Sequence, residues 1–170
     1  MKKFLKHHCS KHAVPAIAAL AVFATRGGML PPNVSPLGAS GFTTKRFIWF
    51  FAGILAFDFF RGGFYPGFWV TYLGFAAYPL LGRLAGKSLG KQALFLPMAS
   101  LLFFLLSNLG VWWFWYPQTL SGLLLCYTLA LPFYRNTFLS DLGFFTLTVG
   151  VRYGIRVVKT MRFSKGMATV

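Results

Sequence analysis

The chain has 170 residues, 56% of them hydrophobic and only 11% charged, with a net charge of +15. Soluble domains carry about 25% charged residues, so this composition cannot cover a water-facing surface and excludes an ordinary soluble enzyme. The bases lie in clusters between long apolar runs, which is the pattern of cytoplasmic membrane loops rather than of a nucleic-acid footprint. The lipid bilayer is therefore the expected partner, with no nucleic acid.

Residues 1–12 carry Lys2, Lys3, Lys6 and Lys11 and read as a basic cytoplasmic tail. Within it, "HHCSKH" offers Cys and His ligands for zinc or copper. A structural site draws on two elements, so no metal is expected there. The apolar stretch Ala13 to Thr25 reads as a signal-peptide core or a first membrane helix. The rest of the chain is equally apolar, which favours the helix.

Residues 27–44 hold no charge but are rich in Gly and Pro. Pro31, Pro32 and Pro36 forbid a straight helix at the start of this stretch. The expectation is an irregular lead-in and a short second helix from about Ser35, closed by Lys45 and Arg46. Residues 47–60 form a third apolar run and residues 64–82 a fourth, the latter long enough for one bilayer crossing. "GRLAGKSLGK" then groups Arg83, Lys87 and Lys91 in one loop. It lacks the spacing of a phosphate-binding loop. Its glycines, Gly82, Gly86 and Gly90, recur every four residues, as do Gly150 and Gly154, a spacing that lets helices approach closely. A flexible loop carrying topogenic charge is the favoured reading of 82–91.

From Gln92 to Tyr134 no residue is charged. The fifth helix is expected over 92–113, ending in the interfacial aromatic cluster "VWWFWYP". The last apolar stretch runs from about 137 to 158. Residues 13–158 thus read as one transmembrane helical domain and 159–170 as a second basic cytoplasmic tail.

Charge sets the topology. With the N-terminus in the cytoplasm and six crossings, every lysine together with Arg46, Arg83, Arg152, Arg156 and Arg162 lies inside. Only Arg26, Arg61 and Arg135 lie outside, a strong positive-inside bias. This places residues 117–134 as a re-entrant or interfacial segment. Alternatively, 117–134 is itself the sixth crossing and the C-terminal segment lies in the cytoplasm as an amphipathic helix.

The two acids are the candidates for function, because a membrane-buried charge costs roughly 2.5–3.5 kcal/mol. Asp58 lies three residues before Arg61, a spacing that pairs them on one helix face. Asp141 follows Arg135 by six residues, at the expected outer start of the last helix, where the dipole favours a carboxylate. Asn33, Asp58, Arg61, Asn108, Trp112, Arg135, Asn136 and Asp141 form the candidate solute-binding set. Such pairs also serve simply to pin helices together. No nucleophile–base set, catalytic residue, cofactor or metal is expected.

Several stretches read together: "PPNVSPLGA", "AFDFFRGGFYPGFWVTYLGFAAYPLLG" and "SNLGVWWFWYPQTLSGLLLCYTLALPFYRNTFLSDLGFFTLTVG". Over roughly residues 26–152 they resemble a family of small bacterial integral membrane proteins of unknown function. In size and layout that family is similar to the S components of energy-coupling factor (ECF) transporters. The resemblance implies an all-α bundle of about six transmembrane helices in the bacterial inner membrane, with both termini cytoplasmic. It also implies a small-solute pocket near the outer face, and partners comprising a transmembrane T component and ATPase subunits. The alanines of the first stretch recur every three residues, where S components often show every four.

Overall fold

The computed structural model describes residues 30–44 and 47–167, together with Leu20. They form five helices, α1 (Leu37–Thr43), α2 (Phe47–Phe60), α3 (Phe68–Ala85), α4 (Leu89–Trp115) and α5 (Leu120–Met167), with no strand among the described residues. The expected first helix and the "HHCSKH" tail lie outside the described residues.

Local chemistry sets most boundaries. α2 ends at Phe60, where the Arg61 and Gly63 amides turn back onto the Asp58 carbonyl. Gly62 and Gly63 then adopt positive φ, which glycine reaches without steric cost. α4 begins at Ser88, whose hydroxyl accepts from the Lys91 amide, a side-chain cap. At the α4–α5 turn the Thr119 hydroxyl accepts from the Gly122 amide at 3.1 Å. A Cβ on Gly122 would run into the Pro117 carbonyl.

α3 and α4 form an antiparallel hairpin. Phe75 and Phe103 stack at 4.5 Å between ring centroids, and Val70 fills the space a side chain on Gly110 would need. α2 packs antiparallel to α3, with Phe51 stacked against Tyr72 and the Arg83 guanidinium 3.5 Å over the Phe47 ring. The loops 61–67 and 116–119 therefore share one end, where Gly67 meets Phe114. The 86–88 loop and the start of α2 share the other.

The residues preceding α1 are held by α5. Ser140 Oγ donates to the Ser35 carbonyl at 2.7 Å and accepts from the Ser35 amide at 2.9 Å. α1 itself is wedged where the Phe42 carbonyl touches Gly82 of α3 and Gly38 touches Asp141 of α5. The irregular lead-in and short helix expected around Ser35 are thus present. Of the small-residue positions, Gly82 alone makes the close approach that the spacing invites. Gly86, Gly90, Gly150 and Gly154 face open space.

The interior of α4 is smaller and more polar than its exterior. Beside Leu96 and Phe104, the small residues Ala99, Ser100, Ser107 and Gly110 are buried, whereas Leu94, Leu101, Leu102, Leu105 and Leu109 point outward. Small residues inside and leucine outside is how helices pack in lipid. Among the described residues α4 alone is long and apolar enough to cross a membrane, by length and composition. Six spans are therefore more than the described helices show.

The last third of the chain differs from the expected pattern. Residues 117–134 are not a re-entrant segment followed by a separate helix over 137–158. From Leu120 onward they belong to a single helix of 48 residues, about 72 Å long. Pro132 lies inside α5 and does not end it. The helix also passes the boundary expected at 158 without interruption.

A candidate pocket between the fourth and fifth helices

A pocket of about 160 Å³ opens between α4, α5 and the segment leading into α1. Its lining comprises Asn33, Phe103, Phe104, Ser107, Asn108, Ala130, Phe133, Tyr134 and Thr137. The α5 members arise from helical spacing: Ala130, Tyr134, Thr137 and Asp141 fall at i, i+4, i+7 and i+11, one face of the helix. On α4, Phe104, Ser107 and Asn108 share a face for the same reason.

Asn33 stands in the left-handed region at φ 63°, a conformation asparagine tolerates better than most residues. Its segment is fixed nearby, where Asn136 Nδ2 donates to the Pro32 carbonyl at 3.1 Å. Two of the expected site residues, Asn33 and Asn108, therefore meet in one pocket, and Asn136 anchors its rim. Trp112 does not join them, because its indole nitrogen donates to the Pro117 carbonyl at 3.1 Å and so braces the α4–α5 turn. Arg135 is exposed on α5 and does not pair with Asp141.

Asp141 departs most from expectation. It is not in the first turn of a helix but some twenty residues into α5, and it is 2% exposed. Tyr78 Oη donates to Asp141 Oδ2 at 2.6 Å. Ser100, fully buried, lies beside both groups, yet its hydroxyl completes no hydrogen bond among the described residues. Tyr134 and Thr137, which line the pocket, precede Asp141 on the same face of α5. The pocket and the Asp141 cluster are thus adjacent stretches of one α5 face.

Asp58 lies elsewhere, on α2. Tyr72 Oη donates to Asp58 Oδ2 at 2.8 Å. The expected pair with Arg61 does not form. Arg61 falls past the helix end, so the i, i+3 geometry is lost, and its guanidinium lies 6.0 Å from the Phe57 ring centroid. Both acids therefore accept from tyrosines of α3, a partnership that sequence spacing could not reveal. Tyr72→Phe and Asp58→Asn are expected to lower stability by about 1–3 kcal/mol each. Arg61→Gln should stay within about 0.5 kcal/mol of the parent. Thermal unfolding in detergent measures all three, and a loss for Arg61→Gln equal to that for Asp58→Asn would restore the ion pair.

Sequence reasoning passed over Tyr78, Ser100, Tyr134 and Thr137. The α5 members carried a usable signal, since polar residues recurred on the Asp141 face. Tyr78 and Ser100 carried none.

Searches of curated proteins and of solved structures returned no match. The profile of one family matches residues 6–162, nearly the whole chain, and on that match the protein belongs to a family of unknown function, DUF6580.

Proposed function

We propose that this is a multi-pass protein of the bacterial cytoplasmic membrane that binds a small solute in the α4–α5 pocket, as the S components of ECF transporters do. One observation carries the reading: the fold gathers Asn33 and Asn108, far apart in sequence, around a pocket that Phe103, Phe104, Phe133 and Tyr134 also line. A few placed polar groups in an apolar concavity are the usual make-up of a ligand site. The volume bounds the solute. An engineered cavity of about 150 Å³ accepts benzene, so a molecule near that size fits and a drug-sized one does not.

In this reading the chain crosses six times, with α5 as the last crossing and its C-terminal half in the cytoplasm. The 61–67 and 116–119 loops face outward and the Arg83–Lys91 loop faces the cytoplasm with both termini. The segment from Pro31 to Thr43 supplies the second crossing, its irregular part shielded by protein as such backbone must be. Arg135, exposed partway along α5, reaches toward an interface by snorkelling or meets an acidic group on a partner. A transmembrane T component and ATPase subunits are the proposed partners, because the chain itself has no nucleotide-binding motif.

A structural or assembly role is the second reading. It is favoured by the Asp58–Tyr72 and Asp141–Tyr78 bonds, which tie α2 and α5 to α3 and leave neither acid free of a helix contact.

Two experiments test these proposals. Mass spectrometry of the detergent-purified protein should find a co-purifying small solute, and Ala130→Trp, which fills the pocket, should lose it. Retention by Ala130→Trp, or absence from both, would leave the structural role. For topology, cysteine is placed at Arg61 or at Lys87 in a background lacking the native cysteines. An impermeant thiol reagent applied to intact cells should label only the first, and labelling of only the second would invert the orientation.

A further inference from the structure

The lining of the α4–α5 pocket is specific in its chemistry. Four aromatic side chains, Phe103, Phe104, Phe133 and Tyr134, line it, and an aromatic ring attracts a cation placed over its face within about 6 Å. The two hydroxyls have the same bias. Ser107 spends its hydroxyl proton on the Phe103 carbonyl at 2.7 Å and Thr137 on the Phe133 carbonyl at 3.1 Å. Asn108 spends an amide proton on the Phe104 carbonyl at 2.7 Å. A hydroxyl has one proton and two lone pairs, so Ser107 and Thr137 offer the pocket acceptors rather than donors, while Asn33 and Asn108 line it with amides that carry both a carbonyl oxygen and N–H groups.

Among the described residues no charged side chain lines the pocket. The acidic residue on the same face of α5 is Asp141, which lies outside the lining, is 2% exposed and accepts from Tyr78. An anion entering here would meet no base among the described residues to receive it. An apolar neutral molecule would leave the acceptors unused.

We infer that the pocket takes a small organic cation of the amine or quaternary-ammonium class. This rests on the solute-binding reading above and names the class of its ligand.

Choline, its uncharged isostere 3,3-dimethylbutan-1-ol and the anionic 3,3-dimethylbutanoate separate charge from shape, all being little larger than benzene. Calorimetric titration of the full chain in non-ionic detergent should show choline binding at least about tenfold more tightly than the alcohol. The butanoate should bind more weakly than either. Tyr134→Leu should remove most of the preference for choline over the alcohol, while Tyr134→Phe, which keeps the ring, should retain it. Ala130→Trp should abolish binding of every probe. Equal binding of choline and the alcohol, tighter binding of the butanoate, or choline binding that survives Ala130→Trp would overturn the inference. If no probe binds but an uncharged or anionic solute co-purifies, the cation assignment falls and the solute pocket stands. If no probe binds and nothing co-purifies, both fall.

Discussion

Gly82→Ala is expected to be among the most damaging single changes in the chain. A Cβ at this position would collide with the backbone carbonyl of Phe42 in α1. Neither partner is a flexible side chain, so relief requires α1 to move away from α3. α1 is held on its other side by Gly38 against Asp141 and by the Ser35–Ser140 bonds, so the movement would loosen all three helices. Overpacking of this kind costs typically 1–3 kcal/mol and occasionally more, and the upper end is expected here. Gly90→Ala is the control. It stands in α4 with nothing near its Cβ, and alanine is the better helix former by roughly 0.5–1 kcal/mol. Thermal unfolding in detergent should therefore show Gly82→Ala far below the parent and Gly90→Ala level with or above it. Equal midpoints for the two variants would show that α1 does not pack against α3 in this way.

Asp141→Ala should be comparably severe, for a polar rather than a steric reason. It strips Tyr78 of its acceptor and adds a second unpartnered buried group to Ser100. Each unsatisfied buried group costs about 1–3 kcal/mol, and the lost carboxyl also leaves a void beside Gly38. A total of roughly 3–5 kcal/mol is expected, in line with removing one member of a buried bonded pair. Asp141→Asn keeps the shape and one acceptor oxygen and should cost much less. Tyr78→Phe should cost about 1–3 kcal/mol. Because Tyr78 and Asp141 share one bond, Tyr78→Phe combined with Asp141→Asn should fall short of additivity by about 0.5–3 kcal/mol. Strict additivity would show that the bond contributes nothing to stability.

These two changes act on features of different legibility. The helical class was readable from the apolar runs, and α2 lies on the run at 47–60 because nothing within that run breaks a helix. Its end was readable from Gly62 and Gly63. The lead-in before α1 was readable from its prolines. Asn33 and Asn108 were legible as polar groups in apolar surroundings, but their meeting in one pocket was not.

The sequence by itself determined the composition that sets lipid against water, the clusters of bases, and the rarity of acids that made Asp58 and Asp141 worth following. These are local or summed properties, and no contact between distant residues is needed to read them. Tertiary structure decided the partners. Spacing offered Arg61 to Asp58, but the helix ended first and Tyr72 of α3 took its place. Spacing offered a helix start to Asp141, but α5 ran on through Pro132 and set that residue against Tyr78. In both cases the deciding group lay on another helix, where side chains meet through the packing of α3 against its neighbours, and that packing depends on volumes and approach distances that linear spacing does not encode.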